Sequence, residues 1–381
     1  MPVVGQAQAT PVIVITRNGN DGSIPISVTG STPDLEALMK KCFSLHGAFT
    51  VVSSGAQYAL RFEAVGANTV RVSVDAKIAG GIKVSPHEET GANWWEAAYR
   101  AGDDVVKDLT NVPGFFAGQL AFVSKRSGST EILISDLLGR QYTAVTSDKA
   151  DARYPHWSPD GLKIIYTGYY KTGFPDLVLI DLSGLPAVKK RPFASFTGTN
   201  TGGVFSPDGR RVAMILSSSG NAELYTSDAD GKNIKRLTQT KGLESSPTWA
   251  PDGSRLAVSS DPDGKPLLYT ISAAGGSLSG IPTRISNYCA EPSWNPRNPN
   301  LIAFMAASGA GFEIEVYDFS THSVTSYVSG SEPCWTNDGR HLIYTIGSNP
   351  EQLGVLDTKT KRSTPITSKG AAQASFVYPA K

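Results

Sequence analysis

The chain contains 381 residues, of which 38 are glycine, and its formal net charge is +1. A near-neutral chain has no global field that attracts nucleic acid or an acidic membrane, so neither is expected as a partner. No apolar stretch approaches the roughly 20 residues needed to cross a bilayer, so direct membrane insertion is not expected. The length allows two domains, and we expect a monomer.

The first ten residues, MPVVGQAQAT, leave two interpretations open. Ala7-Gln8-Ala9 has the small-x-small pattern of a signal peptidase site, but no basic and apolar segment precedes it. Residues 1–9 are therefore either the residual end of a signal peptide, with Thr10 as the mature N-terminus, or a disordered tail.

Residues 10–113 do not repeat and are predicted to form a small α/β domain. Segment 32–47 is a predicted helix, because Thr32 can cap it, Pro33 suits its first turn and Gly47 can end it. Its face toward a sheet is predicted to carry Leu35, Leu38, Met39 and Cys42. The predicted strands are TPVIVITR (10–17), SIPISVTG (23–30), FTVVSS, YALRFEAVG and TVRVSVDAKIAG.

A second helix is predicted to begin near Asn93, with Glu96 placed to complete a capping box. Its inward-facing residues are predicted to be Trp95, Tyr99, Val106 and Leu109. NVPGFF (111–116) follows as a hinge, so the second domain is predicted to occupy residues 114–381.

A short phrase then recurs along the chain. Its copies are WSPDG at 157–161, FSPDG at 205–209, WAPDG at 249–253, WNPRN at 294–298 and WTNDG at 335–339. A period in the low to mid forties indicates one supersecondary unit repeated in a stack. Apolar runs separated by tight-turn residues follow each copy and predict four short strands per repeat, which is the blade of a β-propeller.

The two ends of the repeat region predict how the ring closes. Residues 118–146 look like a blade that lacks its first strand, and QASFVYPAK (373–381) looks like a first strand alone. Val377 lies 42 residues beyond Trp335, which aligns it with the anchor position. Joined, the two pieces make a sixth blade and leave no open strand edge.

With a helix-and-strand domain leading into six such blades, the sequence resembles the TolB family of the Tol-Pal cell-envelope system. The resemblance covers nearly the whole chain, including TPVIVIT, the join YRAGDDVVKDLTNVPGFFAGQLAFVSK (99–125) and the blade phrases. Segment 48–90 and the missing Asp-Gly of WNPRN depart from the pattern. The resemblance implies a non-enzymatic periplasmic scaffold without a cofactor, which supports outer-membrane integrity and envelope constriction during cell division.

The same resemblance implies two protein partners and the residues that meet them. The partner TolA is expected at the N-terminal strand, on Thr10, Pro11, Val12, Ile13, Val14 and Ile15. The lipoprotein Pal is expected on one propeller face, in the loops before the anchors, at Arg153, Thr199, Gly202, Glu244, Ser245, Glu291 and Glu332. The alternative for the carboxylates among them is that they are solvated loop residues.

Other functions were weighed from the residues. An enzyme of the prolyl oligopeptidase type would need a Gly-x-Ser-x-Gly elbow, and no serine has glycine at both second-neighbour positions. The five histidines form no metal pair such as H-E-x-x-H, so neither catalytic nor metal-ligating residues are assigned. The competing interpretation is a free-standing propeller that binds a small ligand or a metal ion in its central channel.

The anchor aromatics and the cysteines are assigned structural roles. Trp157, Trp249, Trp294 and Trp335 are predicted to pack between blades rather than to stack on a ligand. Cys42 is predicted to lie in the core. Cys289 and Cys334 precede the anchors of neighbouring blades, and whether they form a disulfide stays open.

Overall fold

The computed structural model describes residues 22–126, 128–169, 174–309, 311–367 and 369–379. The chain divides into two compact units, residues 1–111 and residues 112–381. No helix within the described ranges is both long and apolar enough to span a membrane. The predicted strand 10–17 lies outside the described residues.

The N-terminal unit is a mixed five-stranded sheet with two helices. Its elements are β1 Ile24–Gly30, α1 Pro33–Leu45, β2 Phe49–Val51, β3 Tyr58–Gly66, β4 Thr69–Ala76, β5 His87–Thr90 and α2 Trp94–Thr110. The strand order is β2-β1-β3-β4-β5, and β1 pairs in parallel with both β2 and β3. The sequence pattern did not predict the short edge strand β5.

Both helices begin where the capping residues predict. The Leu35 N–H donates to the Thr32 hydroxyl at 3.3 Å. The Glu96 N–H donates to Asn93 Oδ1 at 2.9 Å, and the Ala92 N–H donates to Glu96 Oε2 at 2.9 Å. These bonds satisfy N–H groups that a helix start leaves without partners. All four residues predicted on the inner face of α1 are buried, namely Leu35, Leu38, Met39 and Cys42.

The second unit consists of six antiparallel four-stranded sheets, which are the blades. Blade one contains β29 Ala371–Val377, β6 Gln119–Arg126, β7 Ser129–Asp136 and β8 Tyr142–Ala144. Blade two contains β9 Ala152–Trp157, β10 Lys163–Gly168, β11 Asp176–Asp181 and β12 Lys189–Ala194. Blade three contains β13 Asn200–Phe205, β14 Arg211–Leu216, β15 Glu223–Asp228 and β16 Lys235–Arg236.

The remaining blades follow in chain order. Blade four contains β17 Glu244–Trp249, β18 Arg255–Ser260, β19 Leu267–Ser272 and β20 Ser279–Gly280. Blade five contains β21 Cys289–Trp294, β22 Leu301–Ser308, β23 Gly311–Asp318 and β24 Ser323–Ser329. Blade six contains β25 Ser331–Trp335, β26 His341–Ile346, β27 Gln352–Asp357 and β28 Ser363–Pro365. The fold class, an α/β domain followed by a six-bladed propeller, is therefore confirmed.

The C-terminal strand β29 closes the ring by pairing with β6, as predicted. The predicted alignment of Val377 with Trp335 was wrong by one residue. In β25 the left-handed residue Glu332 lies three positions before Trp335, and in β29 the left-handed residue Gln373 lies three before Phe376. Phe376 therefore occupies the anchor position, because the backbone kink, rather than the spacing alone, sets the register.

The anchor aromatics pack between blades, as predicted. Trp157, Phe205, Trp249, Trp294 and Trp335 are all at most 6% exposed. The Trp335 indole N–H donates to the Ser293 carbonyl of the preceding blade at 3.0 Å, which satisfies the one polar atom of a buried ring.

The WNPRN copy keeps its turn without Asp-Gly. The Asn295 side-chain oxygen accepts from the N–H groups of Arg297 and Asn298, both at 2.9 Å. In the ordinary copies an aspartate does this, as when the Arg210 N–H donates to Asp208 at 3.1 Å. The amide of Asn295 also donates to the Gly339 carbonyl in blade six at 2.9 Å, so this turn is tied to its neighbour.

Candidate channel site of the propeller

The innermost strands of the six blades, β9, β13, β17, β21, β25 and β29, surround a central channel. A cavity of about 300 Å³ occupies it. Four of its walls carry a proline in the same place, two residues before the anchor tryptophan: Pro155, Pro247, Pro292 and Pro333. The walls also carry Glu291 and Glu332, which are its acidic residues.

Each innermost strand bends at one residue with left-handed backbone geometry. These residues are Tyr154, Gly202, Ser246, Glu291, Glu332 and Gln373, with φ between 50° and 64°, and all six line the channel. Register shifts occur at the same places in the ladders, so each bend is a β-bulge. A bulge changes the direction of a side chain and releases backbone groups from the hydrogen-bond ladder. The channel is lined by six such bulges, one in each blade.

Side chains at three of these positions link the blades around one half of the channel. The Gln373 N–H donates to Glu332 Oε2 at 3.0 Å, and the Tyr154 N–H donates to Gln373 Oε1 at 3.0 Å. The Glu332 N–H likewise stabilises the Glu291 carboxylate. The opposite half carries Gly202 and Ser246, whose small side chains leave space.

The two channel glutamates have perturbed acidity. Burial, and then repulsion from Glu332, raises the pKa of Glu291 to about 8. Burial also raises the pKa of Glu332, although hydrogen bonds from Thr345 and Gln373 oppose that rise. Two carboxyl groups that interact in this way titrate as a pair, and the raised pKa of Glu291 keeps its carboxyl protonated at neutral pH.

One oxygen of this pair has no partner. Glu332 Oε2 accepts from the Thr345 hydroxyl at 2.7 Å as well as from Gln373. Glu291 Oε2, in contrast, is shielded from water and has no hydrogen-bond partner among the described residues. A buried polar atom without a hydrogen-bond partner costs free energy. A ligand that donates a hydrogen bond to Glu291 Oε2 would recover that cost.

Comparison with known proteins identifies the propeller. The family model described as the TolB beta propeller domain matches residues 106–376, which is well over half of the chain. This chain belongs to the TolB β-propeller family.

Individual relatives in the TolB family are distant. The Tol-Pal system protein TolB of Anaeromyxobacter dehalogenans is 33% identical over 159 residues, which are 42% of this chain and 36% of that protein. The TolB homolog of Chlorobium chlorochromatii is 33% identical over 152 residues, 38% of this chain and 32% of its own. The match thus spans about a third of the length of these curated relatives.

The fold likeness covers more of the chain. The crystal structure of TolB from Acinetobacter baumannii has a TM-score of 0.82 and covers 94% of this chain and 97% of its own. It is 22% identical in sequence, and it shows that the two chains share a fold.

Four of the seven residues that the TolB resemblance assigned to Pal line the channel wall, namely Gly202, Ser245, Glu291 and Glu332. Glu291 and Glu332 were expected in exposed loops, but both are half-buried in β21 and β25. Gly202 and Ser245 also line the channel, whereas Arg153 is half-buried beside it and pairs with Asp151 at 3.4 Å. Thr199 lies just before β13, where its N–H donates to the Ser217 hydroxyl at 2.7 Å.

Glu244 does not belong with them. Its side chain is buried between blades three and four, 2% exposed, and accepts from the hydroxyls of Thr240 and Ser260, both at 2.8 Å. Burial and the neighbouring Glu223 raise the pKa of Glu244 to about 7. Its expected place on the surface was therefore wrong, because the first residue of an innermost strand points between blades. The segment Thr10–Ile15, assigned to TolA, lies outside the described residues.

The channel also contains a histidine and a thiol. Burial lowers the pKa of His156 to about 4, so its ring is neutral at physiological pH. Burial raises the pKa of the Cys334 thiol to about 11. Cys289 and Cys334 are both free thiols, which answers the question that the sequence left open.

Sequence reasoning missed Tyr154, Ser246 and Gln373. Each stands at the position occupied by Glu291 and Glu332, three residues before the anchor of its blade. Counting three residues back from each anchor would have identified Tyr154 and Ser246. The same count misses Gln373, because the predicted anchor of β29 was wrong by one residue. Tyr154 is 43% exposed, and burial of its ring with repulsion from Glu291 and Glu332 raises its pKa to about 12.

Proposed function

We propose that this chain is a non-enzymatic periplasmic scaffold of the Tol-Pal system. It binds Pal at the end of the propeller where the innermost strands begin, and it binds TolA through the N-terminal segment Thr10–Ile15. Its cellular role is to support outer-membrane integrity and envelope constriction during division. Membership of the TolB family supports the system, and the surface at the channel mouth supports the site.

The observation that carries the Pal site is the distribution of exposed apolar side chains. Because strands alternate in direction, the loops that enter the innermost strands and the hairpins between each second and third strand share one end. That end carries three exposed phenylalanines, Phe174, Phe196 and Phe312, with Leu243 and Ile285. The opposite end exposes Tyr142, Leu162, Leu185 and Ile234, and no phenylalanine among the described residues. Large apolar side chains gathered around a concave opening are typical of a protein-binding surface.

Calorimetric titration with the periplasmic domain of the cognate Pal tests this site. Replacing Phe174 and Phe196 together by Ala should weaken binding by about 2 kcal/mol or more, because exposed aromatic anchors dominate interface energies. The matched control replaces Leu162 and Leu185, exposed at the opposite end, and should leave the affinity unchanged. Equal losses in both variants, or no binding by the parent chain, would contradict the proposal.

The TolA site is tested by removing residues 10–15. An uncharged, β-prone terminal segment can add a strand to a partner sheet. Deletion should abolish TolA binding and leave Pal binding intact or strengthened. Undiminished TolA binding would show that another surface is used. A thermal-shift screen with metabolites and metal ions tests the competing small-ligand function, which predicts a shift without any protein partner.

A further inference from the structure

We propose that the Glu291–Glu332 pair in the channel receives the cationic tip of one lysine or arginine side chain of the bound partner. This inference rests on the proposed function, because it names the chemistry by which the same end of the propeller recognises its protein ligand.

The first step is the acceptor. Glu291 Oε2 is shielded from solvent, has no partner among the described residues and borders the cavity. Glu332 is held in place by Thr345 and Gln373, so the second carboxylate is already oriented. A cation that enters here gains charge-assisted hydrogen bonds without first breaking one at Glu291 Oε2.

The second step is the shape and character of the channel. The residues Pro155, Pro247, Pro292 and Pro333 line the cavity with apolar rings. Gly202, Gly203 and Ser246, with small or no side chains, leave room in the part of the wall formed by blades three and four. A lysine or arginine side chain matches this arrangement, because its aliphatic stem packs on apolar surface while its tip reaches a charge. A bare metal ion would make no use of the proline walls.

The third step is the electrostatic surroundings of Glu291, which decide the proton balance. Glu332, in the neighbouring blade, repels it, and the ionised Glu291 acts in turn on Tyr154 and Tyr288. Glu351 acts on Glu332 from the adjoining loop, and Arg153 and Tyr169 act on Tyr154. His156 and Cys334, the remaining titratable groups of the wall, are neutral at neutral pH.

The proton balance predicts the direction of the pH effect. In the empty channel the pKa of Glu291 is about 8, so the Glu291 carboxyl holds a proton at pH 7. A bound cation stabilises the ionised form of Glu291 and displaces that proton. Affinity should therefore rise with pH, by at most about tenfold per unit for one proton, and level off above about pH 8.

The experiment is calorimetric titration of the full chain with the cognate Pal periplasmic domain between pH 6 and 8.5, with EDTA present. Glu291→Gln should remove the pH dependence and bind at every pH with the weak affinity of the parent at low pH. At pH 8.5 this is a loss of about tenfold or more, as for a hydrogen bond to a charged group. Glu88→Gln, which removes an exposed carboxylate of the N-terminal unit, is the matched control and should keep the parent profile.

The outcomes separate the two proposals. Pal binding that is independent of pH, with Glu291→Gln equal to the parent, would overturn this inference and leave the proposed function standing. Absence of Pal binding by the folded parent would overturn both. A pH dependence seen only when EDTA is omitted would assign the pair to a metal ion and contradict the inference. Melting curves of each variant check that the fold is intact.

Discussion

Gln373 of the closing strand donates its backbone N–H to the carboxylate of Glu332 in blade six at 3.0 Å. On its other side β29 reaches blade two, where the Trp157 N–H donates to the Ser375 hydroxyl at 3.1 Å. Nearly 250 residues of sequence separate β29 from the strand β6 that it pairs with, so the ring closes only when both chain ends of the propeller have folded.

Deleting residues 373–381 should therefore cost several kcal/mol of unfolding free energy, because it exposes the edges of β6 and removes buried contacts between three blades. Urea unfolding of the truncated chain measures the loss. A chain ending at residue 378, which keeps β29, is the control. Equal stability of the two truncated chains would mean that the last strand does not complete blade one.

The substitution Asn295→Ala should destabilise the chain by about 1–3 kcal/mol, because it removes three hydrogen bonds made by a buried side chain. Asn295 is fully buried and serves two N–H groups in its own turn and one carbonyl in blade six. Asn298→Ala, in the exposed part of the same turn, should cost much less. Comparable losses would show that Asn295 does not replace the missing Asp-Gly.

The substitution Asp357→Asn should cost about 3–5 kcal/mol, because it removes a buried carboxylate and leaves the charge of Arg340 beside it uncompensated. Asp357 Oδ2 lies 2.8 Å from Arg340 Nη2 and 3.2 Å from His341 Nε2, and His341 Nδ1 lies 2.6 Å from Asp338. These contacts lower the pKa of Asp357 and raise that of His341.

The pH dependence of this loss follows from those two directions. A lowered carboxyl pKa gives stability that is complete above the unfolded value of about 3.9 and declines below it. A raised histidine pKa gives stability that is complete below about 6.5 and declines as the pH rises through the folded value. The difference between parent and variant should be largest near pH 5–6. A difference that keeps growing up to pH 9 would contradict this account.

The substitution Glu244→Gln should become favourable relative to the parent as the pH rises from 5 to 8. The parent Glu244 holds a proton in the folded state up to about pH 7, which the unfolded chain has already released. The contribution of Glu244 to the free energy of unfolding therefore falls between pH 5 and about pH 7. Glutamine is neutral at every pH, so its contribution does not change. Unfolding free energies at pH 5 and 8 measure the change, with Glu351→Gln as the exposed control. A constant difference would show that Glu244 is ionised in the fold.

Patterns of short range predicted the fold well. Thr32 and Asn93 cap the two helices because capping depends on residues only three positions apart, and the anchor phrases repeat because each blade needs the same turn. The channel was not predictable in the same way. The bulges direct the side chains of Glu291 and Glu332 into one shared cavity, and this arrangement exists only because six strands converge on one axis. Sequence spacing carries no information about that convergence, so it placed both residues in loops.

The central claim is that Pal binds at the end of the propeller where the innermost strands begin. Amide hydrogen exchange of the full chain, with and without the cognate Pal domain, tests it most directly. The account predicts protection in the loops entering the innermost strands, residues 195–199, 237–243 and 281–288, with no change in the turns at 158–162 and 206–210. Protection confined to those turns, or none with Pal in excess, would contradict it.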